Sequence, residues 1–361
     1  MADLLLETAN ADALWGRLAD SGRLRGLYRD GDPALGLDAA ALRALFARLD
    51  ADEPVGATLG VCVQSTTALP LLAAAARRAK DPAHPLAEIV RDALAGRRMI
   101  GLAATDVTPG SDLAALTTTV TLAEDHLTVT GRKEWIANAV FASHLLVLAR
   151  HGQGRGIGDF TWVVVPADAP GVTVETADAP LFDGSGTGHA SFREVTLPLD
   201  HLGGAVGRGL IDFSRHISVE RLASAAWGHA MCRRVLRETV AYLRERGDGP
   251  DSLWAQEEVR RRVAECLTAT AGLGALIDAH ADAVTQRHDH LAAALLKADA
   301  ARTVEQVVAV AAHLQGARAF AAGGLQTLRA QAGLWSVGGG TYEVMLSTIA
   351  DHTDRLLDAP A

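Results

Sequence analysis

Two changes of periodicity constrain this chain more than any single motif. Up to about residue 98 the apolar residues recur at three- and four-residue spacing, as in "AAALRALFARLDA" and "TTALPLLAAAARRA", which predicts helices. From residue 99 the texture turns to short runs rich in β-branched residues: "TTTVTLAEDHLTVTG", "HLLVLAR", "FTWVVVP", "GVTVET" and "ASFREVTLP". Bounded by Gly, Pro and Asp, such runs predict a compact antiparallel β unit. The four glycines of "LPLDHLGGAVGRG" mark its end, and a helical period returns from residue 207. There "SVERLASAAWGHAMCRRVLRETVAYLRER" predicts a long amphipathic helix with Ser218 as its N-cap. Two more long helices and a final segment come after it, and four helices with alanine-rich faces predict a bundle. The expected fold class is therefore α+β, with a helical domain at 1–98, a β barrel or sandwich at 99–206 and a helical bundle at 207–361.

Composition removes several function classes. A formal net charge of −9 argues against non-specific nucleic-acid binding, which needs a basic face. Cys62, Cys232 and Cys266 are scattered and odd in number, which fits small core residues in a reducing compartment. The acidic N-terminal stretch shows no signal peptide, and no run of about 18 apolar residues stands out as a membrane span. A cytoplasmic protein without membrane or nucleic-acid partners is expected. The "RHDH" stretch from Arg287 to His290 looks like a metal pair, but residues two apart on a helix face different ways, so no metal site is expected.

The chain closes on "VGGGTYEV", residues 337–344, where three glycines interrupt helix-compatible sequence. Each glycine inside a helix costs about 1 kcal/mol relative to alanine, so the break points to a turn or a close backbone approach. Other segments share its character. "GLAATDVTPGSDLA" at 101–114 sets short hydroxyls and backbone amides in a Gly/Pro-bent segment, which reads by itself either as a loop that can hydrogen-bond a flat polar ring or as an ordinary Ser/Thr/Gly loop, and "GRKEWIANA" stands further on at 131–139. "SVERLASAAWG", then "YLRER" with "LWAQ", then "AAHLQGARAF" complete the set. In this order, over roughly residues 30 to 350, they resemble the acyl-CoA dehydrogenase family.

That resemblance implies a site. Thr105 and Ser111 fall in the loop that meets the flavin of FAD, and Trp135 and Ala137 fall where the family lays Trp and Thr against the ring. Asn138 matches as well, whereas Ala137 lacks the hydroxyl. Arg246 and Gln256 take the flavin-contacting Arg and Gln positions, although "GDGPDS" replaces the family's Phe-Gly. His313 stands at a Gln position beside Gly316, with Ala317 at a further Gly position. Thr341 and Glu343 match the residues that reach the adenosine part of FAD, and Ser111, Arg221 and Gly340 are implied on the substrate side.

The family reaction removes a proton from Cα of an acyl thioester and a hydride from Cβ. Many members carry their base where this chain has Gly339; a minority draws it from the start of the first bundle helix, where Glu220 stands in "SVERL". The plainer account of Glu220 is an acid favoured by the macrodipole at a helix's first turn. Arg221 reads as a structural or substrate-side cation. The resemblance further implies FAD bound between β domain and bundle, an acyl thioester carried on acyl carrier protein or coenzyme A, and an electron acceptor that the sequence does not identify. A second subunit of a homodimer or homotetramer would contribute Arg246 and the "HLQGA" turn. The eroded motifs look like the biosynthetic branch, as in polyketide extender-unit assembly. They also leave open a non-catalytic subunit of a mixed assembly, or a flavin-free thioester-binding protein.

Overall fold

The protein is described here by a computed structural model covering residues 10–107, 112–152, 154, 156–247 and 249–358. Two compact units emerge, one from Met1–Ala41 with Glu53–Glu220, the other from Leu42–Asp52 with Arg221–Ala361.

In the first unit, helix α1 (Ala11–Asp20) starts where the Asn10 side chain accepts the Ala13 amide at 2.9 Å. The short α2 (Arg23–Gly26) comes next, and α3 (Ala39–Asp52) crosses the border between the units. Helix α4 spans Val55–Ala79, and α5 (Pro85–Leu94) opens on Pro85, whose missing N–H a first helical position tolerates. Trp15, fully buried on α1, donates its indole N–H to the Ala93 carbonyl of α5 at 2.7 Å.

Helix α4 is long and apolar enough to cross a membrane by length and composition, with 89% of its most apolar stretch buried inside the protein. The sequence reading missed a run of that kind because Gln64, Ser65, Thr66 and Thr67 interrupt it; all four are fully buried. Across Gln64–Ala68 the helix widens into one π turn.

Seven strands stand among the described residues: β1 (Met99–Ala103), β2 (Thr119–Leu122), β3 (His126–Ile136), β4 (Ala142–Arg150), β5 (Phe160–Pro166), β6 (Val172–Thr176) and β7 (Gly188–Pro198). Their order is β1-β4-β2-β3-β7-β6, with β5 on β4. β1 and β2 each run parallel to β4, and the remaining pairings are antiparallel. The sheet is thus mixed where a purely antiparallel unit was expected. The strand runs show in the sequence, but the crossover that makes two neighbours parallel leaves no mark in alternation. Leu127, Val129, Leu145, Val147, Val163, Val165, Phe192 and Val195 form its core.

Helix α6 runs Gly209–Glu245 without a break. Ser218 is therefore no N-cap: it lies inside the helix, where its hydroxyl bonds back to the Ser214 carbonyl at 3.0 Å. The second unit continues with α7 (Glu257–Arg287) and α8 (His290–Gln315), then the short α9 (Leu325–Ala332), α10 (Leu334–Val337), α11 (Tyr342–Ala350) and α12 (Thr353–Leu357). Trp335 anchors the approach to the glycines: it is buried, meets the Trp227 ring at a tilt with centroids 4.7 Å apart, and donates to the Ser224 carbonyl at 2.8 Å. The "RHDH" stretch spans the turn between α7 and α8 and not one helix face: Arg287 ends α7, His290 opens α8, His288 between them has φ 52°, and Asp289 caps α8 through the Ala292 amide. Among the described residues no group of three His, Cys, Asp or Glu side chains could hold a metal ion.

Candidate functional site

In the first unit, β3 carries a bulge where its register with β7 shifts between Lys133 and Ile136. The bulge forces Trp135 to φ 56°, a left-handed conformation that a bulky residue rarely adopts. Its indole is 60% exposed and meets His189 edge-on at 5.2 Å, while its amide donates to His189 Nδ1 at 3.3 Å. A strained backbone that turns a tryptophan outward, when the core could have taken it, marks a surface kept for contact.

A buried ion pair holds this wall. Lys133 Nζ lies 2.6 Å from Asp106 Oδ1, with both side chains fully enclosed, and donates to the Ala104 carbonyl at 3.0 Å. Asp106 also accepts the Thr118 amide at 2.8 Å, the Thr117 hydroxyl at 2.9 Å and the Thr118 hydroxyl at 2.9 Å. Burial alone would raise its pKa; the charge and hydrogen bond of Lys133, then the two threonine amides, outweigh burial and hold it below the usual carboxylate range. The pair pins the half-buried Thr105, whose carbonyl accepts the Glu134 amide at 3.0 Å, against the Trp135 segment. Thr105, Trp135 and Ala137 are thus brought together, while Ser111 lies outside the described residues. Asn138, at φ 65°, closes the segment onto α4 by donating to the Gly60 carbonyl at 2.9 Å. Gly60 leaves no room for a side chain there, since a Cβ would sit 2.4 Å from Asn138 Oδ1.

Also in the first unit, half-buried Glu220 extends its Oε2 to the hydroxyl of Thr67 at 2.5 Å. Glu220 sits eleven residues past Gly209, about three turns inside α6. The helix dipole acts within the first turn, so it does not account for an acid at this depth.

In the second unit, the glycine triplet forms a turn between α10 and α11, with Gly339 at φ 75° and Gly340 at φ 105°. Arg221 Nε donates to the Gly339 carbonyl at 2.9 Å, and the Thr341 side chain caps α11 through the Val344 amide. Glu343 lies exposed in the first turn of α11. Arg246, exposed just past α6, donates to the Tyr242 hydroxyl at 2.8 Å, and the Tyr242 hydroxyl donates to the Gln315 carbonyl at 3.4 Å. The Arg318 guanidinium stacks 5.0 Å above the Tyr242 ring. Tyr242 therefore joins Arg246 to the turn of His313 and Gly316, whose φ is 56°. Gln256 is exposed at the head of α7, and Leu253 ties back to the Arg246 carbonyl at 3.0 Å.

Sequence reasoning passed over Thr67, Lys133 with Asp106, and Tyr242. A signal existed for the first in "QSTT", four polar residues within an apolar helix. Lys133 was visible as a cation in a β run; nothing local marked its partner.

The chain matches the acyl-CoA dehydrogenase middle domain over residues 101–195 and that family's C-terminal domain over 207–353, together more than half its length. It is 28% identical over 347 residues to acyl-[acyl-carrier-protein] dehydrogenase MbtN of Mycobacterium sp. (strain MCS), covering 90% of this chain and 84% of that protein. Its fold superposes on the acyl-CoA dehydrogenase of Geobacillus kaustophilus with a TM-score of 0.85 at 20% identity, over 98% of this chain and 95% of the other. The FAD complex of PigA gives a TM-score of 0.86 at 17% identity, over 96% and 91%. FAD is the family's cofactor, and each unit taken by itself offers groups of the kind such a molecule binds: in the first an outward indole on a strained bulge and the half-buried Thr105, in the second the exposed Arg246 and Gln256. The helix-capped turn at Thr341 adds backbone amides of the kind that bind phosphate and hydroxyl groups. The chain belongs to the acyl-CoA dehydrogenase family, the flavoprotein oxidoreductases whose cofactor is FAD.

Proposed function

We propose that this protein dehydrogenates the Cα–Cβ bond of an acyl thioester with FAD, and that Glu220 is its base. The observation that carries the reading is the state of Glu220: drawn inward, held at 2.5 Å by a fully buried hydroxyl, and too deep in its helix to serve the dipole. A base must reach the proton within hydrogen-bonding distance and in a defined orientation, which a held carboxylate supplies and a solvated one does not. In this reading Thr105 and Trp135 would hold the flavin ring, with Ala137 offering only a methyl group. Arg246, Gln256, His313 and Gly316 would serve the flavin and its phosphates, Thr341 and Glu343 the adenosine end. When bound, FAD would supply the acceptor for the hydride that leaves Cβ. Glu220 takes the α-proton at its carboxylate, and a backbone N–H at Gly340 is offered to the carbonyl oxygen on which negative charge develops. Arg221 keeps that turn in place through its bond to the Gly339 carbonyl.

The acyl group is proposed to arrive on a carrier protein, in biosynthesis of the extender-unit type; the relative named as an acyl-carrier-protein dehydrogenase, matched over most of both chains, supports this. The exposed corner around Arg246 supports a homodimer or homotetramer in which it serves a neighbouring copy's FAD.

The test is anaerobic mixing of the FAD-loaded protein with one acyl group presented on carrier protein and on coenzyme A, monitored at 450 nm. Glu220→Gln is expected to slow bleaching by about a hundredfold to ten-thousandfold, the range over which general bases act. A Gln variant that bleaches at the wild-type rate removes Glu220 as base. Protein that FAD cannot reconstitute removes the dehydrogenase reading, and turnover confined to coenzyme A esters removes the carrier protein.

A further inference from the structure

We infer that Thr67 is a positioning residue for the Glu220 carboxylate, and that the π turn in α4 serves to deliver its hydroxyl. The inference rests on the reading of Glu220 as base.

Three consecutive hydroxyl residues occupy this turn, and they behave differently. Ser65 and Thr66 donate to the carbonyls four residues back, Val61 and Cys62, each at 2.7 Å, the usual outlet for a hydroxyl inside a helix. Thr67 would find the Val63 carbonyl by the same rule. Its hydroxyl goes instead to Glu220 Oε2, a residue 153 positions away in sequence. The π turn explains the difference. Adding one residue to a helical turn rotates the residues beyond it by about 100° relative to a regular helix, which takes the next side chain off its expected bearing.

Such a turn survives only where the surroundings fix it. Here they do so on separate sides. The buried Tyr28 donates its hydroxyl to the Ser65 carbonyl at 2.9 Å. Gln64 accepts the Ile100 amide of β1 at 3.0 Å and donates to the Arg98 carbonyl at 3.4 Å. The Tyr28 and Gln64 side chains are at most 3% exposed. The arrangement is a buried bracket whose outward-directed hydroxyl ends on the proposed base.

A hydroxyl donating to a carboxylate makes a short, charge-assisted bond. It commits one oxygen of Glu220 and fixes the plane of the carboxylate. That bond weakens when Glu220 takes a proton, so Thr67 contributes orientation more than driving force. Loss of orientation at a reacting group costs rate, up to about a hundredfold for a displacement of 1 Å.

The test uses the FAD-loaded protein and an acyl thioester deuterated at Cα. Thr67→Val keeps the shape and removes the donor. It is expected to lower kcat by about tenfold to a hundredfold, to change KM by less than about twofold, and to enlarge the α-deuterium isotope effect as proton removal becomes slower. Thr67→Ser restores the donor and is expected to recover kcat to within about threefold. Thr66→Val, which deletes a hydroxyl that serves only its own helix, is the control for disturbed packing and is expected to leave the isotope effect alone. If Thr67→Val does not fold, Thr67→Ala removes the same donor without branching. Wild-type kcat in the donor-less variant overturns the inference, as does a Ser variant as slow as the Val one. Glu220→Gln in the same assay separates the two readings: inactive Gln with fully active Val sinks the bracket alone, and active Gln sinks the base.

Discussion

A pair of helix irregularities among the described residues, the π turn at Gln64–Ala68 and the glycine turn at Gly338–Gly340, solve opposite problems. The π turn keeps the helix and changes its phase. It is wholly buried and held by side chains: Tyr28 on a carbonyl, Gln64 on β1, Thr67 on Glu220. The glycine turn abandons the helix. It is half-buried and held by backbone conformation, with φ values of 75° and 105° that side-chain-bearing residues avoid, plus one guanidinium on the Gly339 carbonyl. One irregularity should thus be fragile to loss of polar side chains, the other to gain of a Cβ.

The largest effect is expected at Gln64. Replacing it with Leu keeps the bulk but strips both the buried Ile100 amide and the Arg98 carbonyl of their partner. A buried group left without a partner costs about 1–3 kcal/mol, so the pair should cost about 3 kcal/mol. A melting temperature several degrees lower, read by calorimetry, is the expected result; an unchanged one would mean that side chains do not hold the π turn. Gly340→Ala comes next. At φ 105° an alanine is strained, and its Cβ would lie 3.0 Å from Met345 Cε and 3.1 Å from Arg221 Nη2. Both contacts are flexible ends, so the backbone dominates, at about 1–3 kcal/mol. Alanine tolerated at 340 without loss of stability would erase the contrast between the turns.

That contrast also sorts what the sequence disclosed. The glycine turn announced itself, because losing a helix requires residues that helices avoid. "CVQSTTALP" did not, because every residue of a π turn is acceptable in an α-helix and the added residue shows only in three dimensions. The start of α6 was misplaced for a related reason. Ser218 fits an N-cap by type, but "GLIDFSRHI" ahead of it is equally good helix, and only the folded chain shows the helix beginning at Gly209. The correction matters chemically, since it removes the dipole account of Glu220. In the β unit the strand runs were legible from their β-branched residues, whereas the parallel neighbours of β4 depend on connections that alternation does not encode. The roles of Trp135, Arg246 and Thr341 came from resemblance to a family, not from spacing. The structure adds the strain beneath Trp135 and the Lys133–Asp106 pair behind it, partners 27 residues apart in sequence.

The smallest expected effect belongs to Tyr28, and its pH dependence makes it the sharpest. Tyr28→Phe preserves the ring and withdraws one neutral hydrogen bond from the Ser65 carbonyl, a loss of about 1 kcal/mol near neutral pH. Burial pushes the Tyr28 phenol well above its ordinary pKa of 10.0, because the phenolate would have to form away from water. The folded protein therefore holds this proton at a pH where the unfolded chain releases it. Stability that depends on Tyr28 is intact below about pH 10 and declines as pH rises beyond that, since the unfolded state then binds fewer protons than the folded one. The phenylalanine variant has no proton to lose. Its melting temperature should lie slightly below wild type at pH 7, and the gap should narrow and then reverse as pH passes the ordinary tyrosine range. A gap of constant size from pH 7 to pH 11 would mean that the Tyr28 hydroxyl reaches water and does not close the π turn.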